Sequence, residues 1–375
     1  MMKLLHSADW HLDAPMVGKD EAQAAFLRAQ LRKVPETVAK LCKQVDCRLL
    51  LLSGDLFDGE YTKESYRAVY DALKELDVLV FIAPGNHDFC RPGSPYLEEA
   101  WPENVHIFTK PMMESVPLPE LNCVIYGAGY QAMDCPPLLK DFHAEGEGLN
   151  IGILHGDATV ASSPYCPITS RQFRESGLHY LALGHIHKEG RLRSDERLCA
   201  WPGCPMGKDF GEDGIKGALV VTFDTDVRAD FVPLDTPRFF DLETDVGEDP
   251  LSAAAALVPA GHTDDFYRIT LTGYSSNTDT AAIAAALSHV PHLTLRDRTM
   301  PEVDLWSAVG EDTLEGVLFR ILQEGLDTEV PQLQKQVKLA ARISRQILDG
   351  QEVTLPRRSI PRPPPSASWS MLLWS

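Results

Sequence analysis

Short apolar runs alternate with helical patterns through the first half of the chain. Residues 48–53 (RLLLLS) and 78–83 (VLVFIA) are continuous apolar runs of strand length, as in strands buried on both faces. Helical spacing covers 20–45, where Pro35 is expected to break or kink the helix, and 63–76. This alternation predicts an α/β layer fold. Further strands are predicted at 3–7, 123–126, 150–155, 180–184, 218–223 and 228–233.

The pattern changes after Asp235. Residues 235–250 (DTPRFFDLETDVGEDP) are acidic and rich in turn formers, which suits a linker or a domain edge. Beyond them the pattern predicts a small α+β unit and then two helices. The predicted strand, alanine-rich helix and strand cover 266–272, 279–288 and 292–296, and the apolar positions of the two helices lie in 314–322 and 337–348. The proline-rich ending is expected to be disordered.

Composition and charge limit the classes of function. The 375 residues are 44% hydrophobic and 24% charged, as in an ordinary globular protein. No apolar run approaches the roughly 18 residues of a membrane span, and the N-terminus becomes polar too early for a secretion signal, so we expect a cytoplasmic protein. The net charge of −19 argues against a broadly basic nucleic-acid-binding surface, although bound metal ions would add local positive charge.

Five short polar blocks stand where predicted strands end. They are Asp9-Trp10-His11, Gly54-Asp55, Gly85-Asn86-His87-Asp88, His155-Gly156-Asp157 and Gly184-His185-Ile186-His187. Because the carboxyl ends of strands in an open α/β sheet converge on the crevice where ligands bind, these loops can bring their side chains to one point. A single block is a weak signal, since Gly-Asp and Gly-Asn are common in turns. All five in this order predict one shared site.

The side chains of these blocks suit two divalent metal ions. Imidazole, carboxylate and amide oxygen together favour manganese, iron or zinc over an all-oxygen calcium cage. An Asp-x-His or His-x-His pair at a strand end places both side chains on one face, since the strand period is two. A carboxylate must bridge two ions about 3.5–4 Å apart, and Asp55 is the natural candidate. The predicted ligands are Asp9, His11, Asp55, Asn86, His155, His185 and His187.

A charge count points to the substrate. Two divalent ions carry four positive charges, and Asp9, Asp55 and a bridging hydroxide remove three of them. The site is left with about one positive charge, which matches an anionic phosphodiester. Asn86 and the histidines preserve this balance because they are neutral ligands.

Other polar residues have a structural interpretation. The remaining histidines are expected to pack or to cap, and they are His6, His106, His143, His179, His262, His289 and His292. The stretch from Gly203 to Asp209 is one residue too short for a phosphate-binding loop and is expected to be structural. The apolar stripe from Leu314 to Leu322 suits core or interface packing, with partner binding as the sharper alternative. The eight cysteines contain no Cys-x-x-Cys pair, so we expect free buried thiols.

The same blocks resemble the calcineurin-like metallophosphoesterase superfamily. Within it, the chain is most similar to the SbcD-type DNA exonuclease subunits, particularly the YhaO-like branch of bacterial DNA repair exonucleases. The similarity is carried by HSADWHLDAP at 6–15, LLLLSGDLFDGE at 49–60, APGNHDFCRPGSPY at 83–96, ILHGD at 153–157, YLALGHIHK at 180–188 and WPGCPMGKDFGEDGIKGALVV at 201–221. It covers residues 1–235 well and the remainder in outline.

This resemblance implies a role for each residue of the blocks. Asp9, His11 and His187 match positions that bind the first metal ion. Asn86, His155 and His185 match positions that bind the second, and Asp55 matches the bridging carboxylate. His87 matches the catalytic histidine close to the scissile phosphate, and Asp88 matches the residue that orients it. The implied fold is a four-layer αββα sandwich, in which two packed β-sheets are flanked by helices.

The resemblance also implies a domain order and partners. Residues 1–235 would be the metallophosphoesterase (nuclease) domain, 236–300 a small α+β cap domain, 301–350 a helical partner-binding region and 351–375 a disordered tail. The expected cofactor is a pair of divalent ions, Mn²⁺ first, with Fe, Zn or Mg as alternatives. The expected partners are DNA, an SbcC-like coiled-coil ATPase and a second copy of the chain.

Three functions remain open from the sequence. The first is a DNA exonuclease or endonuclease subunit in DNA repair, which hydrolyses phosphodiester bonds with a metal-bridging hydroxide. The second is a phosphodiesterase or phosphatase that acts on small molecules, which the acidic net charge favours. The third is a mainly structural subunit that positions DNA or an ATPase, against which the intact ligand set argues.

Overall fold

Two six-stranded β-sheets form the first part of the chain in the computed structural model, which describes residues 2–261 and 263–354. Their strands are β1 (Met2–Ser7), β2 (Leu49–Leu52), β3 (Leu79–Ile82), β4 (Val105–Ile107), β5 (Glu114–Leu118), β6 (Cys123–Gly127), β7 (Leu149–His155), β8 (Tyr180–Gly184), β9 (Gly190–Ser194), β10 (Arg197–Trp201), β11 (Gly217–Phe223) and β12 (Val227–Pro233). The first sheet has the order β12-β11-β1-β2-β3-β4, and the second has the order β5-β6-β7-β8-β10-β9.

Parallel strands form the centre of each sheet. In the first sheet β1, β2, β3 and β4 are parallel, while β11 and β12 add antiparallel neighbours beyond β1. In the second sheet β6, β7, β8 and β10 are parallel. The leucines of β2 are all fully buried. A strand covered on both faces needs such an unbroken apolar run, which is why RLLLLS identifies it in the sequence.

The two sheets pack face to face through one apolar core. Leu49, Leu51 and Phe81 point into it from the first sheet, and Ile151 and Ile153 point into it from the second. Leucines 50 and 52 are equally buried but point to the opposite face, because side chains alternate along a strand.

Three helices follow the first strands, and the longest predicted helical stretch is split in two. They are α1 (Glu21–Leu31), α2 (Val34–Gln44) and α3 (Lys63–Lys74). The break precedes Pro35, as the sequence predicts, because proline lacks an amide hydrogen and is tolerated only in the first turn. The side chain of Asp20 caps α1 and that of Thr62 caps α3. Helix α2 packs against β1.

A thinner layer covers the outer face of the second sheet. It consists of the short helix α5 (Ser170–Glu175), which follows the one-turn helix α4 (Pro95–Glu98) in the chain, and of the loop before β7. Phe173 of α5 and Tyr130 and Leu139 of the loop pack on Leu181 and Trp201. The layers are therefore helix, sheet, sheet and helix with loop. The α/β sandwich expected from the sequence is confirmed.

Four strands of the two six-stranded sheets were not predicted from the sequence pattern. They are β4, β5, β9 and β10, and the first three lie at or next to a sheet edge. Strand β9 is mostly exposed, and β5 contains Pro117, which an edge strand tolerates. An edge strand needs no continuous apolar run, so hydrophobic periodicity cannot identify it.

A second compact unit begins at Phe240. Its strands are β13 (Phe239–Asp245), β14 (Phe266–Thr272), β15 (Tyr274–Ser275), β16 (His292–Asp297) and β17 (Met300–Pro301), and its helices are α6 (Pro250–Ala255), α7 (Thr280–Ala286), α8 (Leu314–Glu324) and α9 (Pro331–Leu348). Strands β13, β14 and β16 form a three-stranded sheet. Helices α8 and α9 share a small core around Phe319 and Ala341. Residues 355–375 of the predicted tail lie outside the described residues.

Two further expectations concern the whole of the described chain. All eight cysteines are buried free thiols, as the sequence predicts. Within residues 2–261 and 263–354, no helix combines the length and the apolar character that crossing a lipid bilayer requires.

Candidate metal centre

Five strands deliver the predicted site residues to one place. Asp9 and His11 follow β1, Asp55 follows β2, Asn86, His87 and Asp88 follow β3, His155 ends β7, and His185 and His187 follow β8. The strands β1, β2 and β3 are adjacent and parallel in the first sheet, and β7 and β8 are adjacent and parallel in the second. Because the two sheets pack face to face, all five carboxyl ends lie at a common edge.

The backbone is left-handed at several of these positions. The angle φ is 54° at Asp9, 47° at His11, 51° at Asp55 and 92° at His185. This region costs a non-glycine residue on the order of 1–3 kcal/mol, and such residues concentrate at functional sites. Hydrogen bonds hold the strained loops: the amide of Asp9 donates to the carbonyl of Gly54 at 3.0 Å, and that of His11 donates to the carbonyl of Asp55 at 2.9 Å.

One group of donors consists of Asp9, His11 and His187. Their ligand atoms all lie within 4.8 Å of one another. The Nε2 atoms of His11 and His187 are only 2.9 Å apart, so both ring nitrogens face the same point. The Oδ1 of Asp9 accepts the amide hydrogen of His185 at 2.9 Å, whereas its buried Oδ2 has no hydrogen-bond partner in the described chain.

The remaining donors lie beside the first group. Nε2 of His155 is 2.8 Å from Oδ1 of Asn86, and Nδ1 of His185 is 3.3 Å from the same oxygen. The Oδ2 of Asp55 lies between the two groups, at 3.3 Å from Nε2 of His155 and 3.7 Å from Nε2 of His11. The structure therefore brings all seven predicted ligands together, with the carboxylate of Asp55 in the position that a shared ligand would take.

The electrostatics of the site favour uncharged groups. Burial raises the pKa of Asp9 to about 6 and raises that of Asp55 well above its ordinary value. Burial lowers the pKa of His11 to about 3 and lowers that of His155 well below its ordinary value. Neutral imidazoles and buried carboxylates that face one another are the donor set of a divalent cation. Together with the unpartnered oxygen of Asp9, they fit a pair of such ions.

The carboxylate next to His87 is that of Asp58. The Oδ1 of Asp58 lies 2.6 Å from Nδ1 of His87 and 2.9 Å from Nδ1 of His11. Burial alone would raise the pKa of Asp58, but these two hydrogen bonds lower it well below its usual range. His87 itself has 41% of its side chain exposed, so it lies at the mouth of the site. Asp58 thus links a predicted ligand to the predicted catalytic histidine.

The predicted role of Asp88 as the residue that orients His87 is corrected by this geometry. The Asp88 carboxylate is fully buried and accepts backbone N–H groups of Gly85 at 2.8 Å and Leu56 at 2.7 Å. It also accepts the hydroxyl of Tyr96 at 2.5 Å. Asp88 is therefore directed into the interior below the loop, whereas His87 is partly exposed at the mouth of the site. Asp88 fixes the backbone of the two loops that carry the site.

Two acidic residues were absent from the predicted site. Asp58 lies within the block LLLLSGDLFDGE, three residues after Asp55. This closeness to a predicted ligand is the feature of the sequence that could have indicated it. Glu212 lies in the long loop between β10 and β11, with Oε1 at 2.5 Å from Nδ1 of His187. No periodicity marks Glu212, since only the fold brings this loop to the site.

Comparison with known proteins gives the family. The model of the calcineurin-like phosphoesterase family matches residues 2–189, which include all seven predicted ligands. This chain belongs to the calcineurin-like phosphoesterase family. The family depends on a dinuclear metal centre, and the converging donor side chains of this chain are candidate ligands for it.

A curated relative and several solved structures are similar to this calcineurin-like chain. The "Uncharacterized metallophosphoesterase YhaO" of Bacillus subtilis (strain 168) is 31% identical over 242 residues, which span 59% of this chain and 57% of the relative. The chain thus matches little more than half of that protein. GAP50 of Plasmodium is 10% identical with a TM-score of 0.40, over 62% of this chain and 84% of that one. A dimetal phosphatase from Danio rerio is 11% identical with a TM-score of 0.38, over 61% of this chain and 95% of that one.

Proposed function

We propose that this chain is a nuclease that hydrolyses phosphodiester bonds of DNA, as a subunit of a DNA repair exonuclease or endonuclease. The observation that carries the proposal is the convergence of seven donor side chains beside an exposed histidine that Asp58 holds. Such a site offers ligands for two cations, and His87 at its mouth can donate a proton. These are the parts that hydrolysis of an anionic phosphoester requires.

Different residues of the site would bind the metal ions and donate the proton. Bound divalent ions would supply Lewis acidity for activating water and for offsetting charge on the phosphoryl oxygens. Asp9, Asp55, Asn86 and the four ligand histidines would hold them, with Mn²⁺ as the proposed physiological choice. His87 donates a proton to the leaving oxygen, and Asp58, which contacts Nδ1 of His87 at 2.6 Å, holds the ring for this step.

DNA is the proposed substrate for two reasons. The blocks that carry the site are similar to those of SbcD-type exonuclease subunits, and the stretch 201–221 after the last metal motif is similar as well. His87 is accessible at the mouth of the site, which a polymeric substrate would require. The net charge of −19 favours the alternative of a small-molecule phosphodiesterase, since a broadly basic surface is lacking.

The test compares substrates and one matched pair of variants. Purified protein with Mn²⁺ is incubated with linear duplex DNA, single-stranded DNA, cyclic nucleotides and bis(p-nitrophenyl) phosphate. We expect cleavage of DNA, and we expect His87→Ala to bind both metal ions but to lose about 99% or more of the activity. His143→Ala, which changes an exposed histidine of the same unit, should behave as the wild type. Cleavage of cyclic nucleotides but not of DNA would support the small-molecule alternative.

A partner for the second unit is part of the proposal. Helices α8 and α9 bury Phe319 and Ala341 against each other but leave other apolar side chains in water: Leu314 is 88% exposed, Ile321 62% and Ile347 59%. Exposed apolar residues of this kind are typical of a binding surface. We propose that they dock onto a coiled-coil ATPase of the SbcC type.

Pull-down of that ATPase with the full chain tests the docking surface. Ile321→Glu should abolish binding, because a buried unpaired carboxylate is costly. Glu324→Gln, an exposed change in the same helix, should leave it intact. Undiminished binding by Ile321→Glu would contradict this docking surface. Failure of the wild type to bind the ATPase would favour a chain that works alone in the cytoplasm or as a homodimer.

A further inference from the structure

A loop outside the five sequence blocks reaches the metal centre. It connects β10 to β11, and its Glu212 places Oε1 at 2.5 Å from Nδ1 of His187. Nε2 of the same ring lies 2.9 Å from Nε2 of His11, so it faces the other predicted ligands. Glu212 therefore contacts the ring nitrogen that points away from the metal centre. A histidine that donates its Nδ1 hydrogen keeps a lone pair on Nε2, which a metal ligand needs.

The charges of this contact are well defined. Burial alone would raise the pKa of Glu212, but the hydrogen bond with His187 and the positive charge of Lys208 lower it to about 2. Glu212 is thus a carboxylate, and the hydrogen bond to His187 is charge-assisted.

The backbone of the segment 207–212 folds back on the carboxylate of Glu212. The Oε2 of Glu212 accepts the backbone N–H of Lys208 at 2.8 Å. A Cβ atom at Gly207 would lie 2.6 Å from the carbonyl oxygen of Glu212. The backbone at residue 207 therefore approaches that at residue 212 so closely that only glycine fits there. One carboxylate therefore fixes both the ring of His187 and the backbone of Lys208.

The side chain of Lys208 is mostly buried, and its ammonium group lies near the carboxylate of Glu212. Only 21% of its side chain is exposed, and Nζ lies 3.9 Å from Oε1 of Glu212, too far for a hydrogen bond. In the part of the chain that the structure describes, Nζ donates no hydrogen bond to a protein acceptor. Because the same Oε1 of Glu212 lies 2.5 Å from Nδ1 of His187, the ammonium lies near the metal centre. The three N–H groups of this ammonium are therefore available to an anionic oxygen that approaches the metal centre.

We propose that the segment 207–212 recognises the substrate anion: Lys208 binds a phosphoryl oxygen at the edge of the metal centre, and Glu212 positions both Lys208 and His187 for this. The inference rests on the proposed phosphodiesterase function. Lysine suits the role because its ammonium group is a compact point charge with three rotatable donors. The cation also offsets the negative charge that Glu212 adds beside a site for an anionic substrate.

The role of Lys208 is tested with inorganic phosphate as the probe. Phosphate binding to the Mn²⁺-loaded protein is measured by calorimetry and by competitive inhibition of bis(p-nitrophenyl) phosphate hydrolysis. Lys208→Met should weaken phosphate binding about tenfold or more and raise KM, with kcat reduced much less, while Mn²⁺ affinity stays the same. Lys208→Arg should restore most of the phosphate affinity. Lys140→Met, which removes an exposed lysine of the same unit, should match the wild type.

The role of Glu212 is tested by metal binding rather than by activity. Glu212→Gln should lower the affinity for Mn²⁺ by about 10- to 100-fold, as loss of a partner of a ligating histidine does. Thermal unfolding of the metal-free variant checks that it is folded. Glu212, His187 and Cys204 also have ligand atoms within 4.8 Å of one another. A third equivalent of metal, lost in both Glu212→Gln and Cys204→Ser, would overturn the positioning role and make Glu212 a ligand.

The outcomes separate this inference from the proposed function. If the wild type binds Mn²⁺ and cleaves the ester, but Lys208→Met binds phosphate as tightly as the wild type does, only the role of the loop is overturned. If phosphate binding depends on Lys208 but no phosphodiester is cleaved, the loop recognises an anion and the proposed function fails.

Discussion

The Nδ1 atom of His87 lies 2.6 Å from the Oδ1 of Asp58, although Asp88 is its neighbour in the sequence. The same carboxylate oxygen lies 2.9 Å from Nδ1 of His11. Asp58 therefore contacts both the histidine at the mouth of the site and a predicted metal ligand. Its own negative charge is secured by the two hydrogen bonds that it accepts.

Replacing Asp58 should impair both the catalytic rate and the binding of metal ions. We expect Asp58→Asn to lower kcat at saturating Mn²⁺ by about 100-fold, because the carboxylate that holds the ring of His87 is lost. The affinity for Mn²⁺ should fall about tenfold, because His11 loses its partner. Steady-state kinetics and calorimetry measure the two effects. Asp88→Asn should instead lower stability with a much smaller loss of kcat, and an equal loss of kcat in a folded Asp88→Asn protein would contradict the assignment.

Gly85 is a position where even one added carbon should disturb the site. A Cβ atom there would lie 2.2 Å from Oδ1 of Asp55 and 2.8 Å from Nδ1 of His155. Gly85→Ala should therefore weaken Mn²⁺ binding at least tenfold and lower the free energy of unfolding by about 1–3 kcal/mol. Gly310→Ala is the matched control, since nothing lies within 4 Å of its added carbon. Calorimetry and urea unfolding measure the effects, and wild-type Mn²⁺ affinity in Gly85→Ala would refute this geometry.

Removal of metal ions should lower thermal stability. Two buried carboxylates and the facing imidazoles lose their common partner, so the metal-free protein should unfold at a lower temperature in EDTA than in Mn²⁺. At a free concentration of about 100 times Kd, one bound ion stabilises the folded state by about 2.7 kcal/mol. Asp55→Asn should abolish most of the increase, because it removes the carboxylate between both donor groups. Equal unfolding temperatures of the wild type in EDTA and Mn²⁺ would contradict a metal site here.

His6 should make the metal-free protein sensitive to acid. Its ring lies buried between the sheets, 2.7 Å from the hydroxyl of Tyr180 and 2.5 Å from that of Ser53, and burial lowers its pKa to about 3. The unfolded chain protonates His6 near pH 6.5, whereas the folded state keeps it neutral, so its contribution to stability is present above pH 6.5 and is lost as the pH falls toward 3. Between pH 7 and pH 5 this loss is about 2 kcal/mol.

Urea unfolding of the metal-free wild type and of His6→Gln at pH 7 and pH 5 isolates this contribution. The other histidines contribute equally to both proteins, so the difference between them reports His6. The variant should lose about 2 kcal/mol less stability over this interval. The same loss in both proteins would show that His6 does not titrate as described.

The sequence by itself determined the family, the layered α/β fold and the seven predicted ligands. The buried strands β2 and β3 carry unbroken apolar runs, and the polar blocks stand directly after strands, so local pattern located both the sheet and the edge at which ligands collect. Pro35 marked the break between two helices because its effect on the backbone is local.

Only the tertiary structure decided which carboxylates form hydrogen bonds with the histidines of the site. The family resemblance implied Asp88 as the partner of His87, whereas the fold places Asp58 there, because the direction of a side chain in a loop depends on the backbone angles. Glu212 reaches His187 from a loop 25 positions further along the chain, because β10 and β11 belong to different sheets and the connection between them passes the site. Contacts of this kind join distant segments through packing, and no local pattern of residues records them.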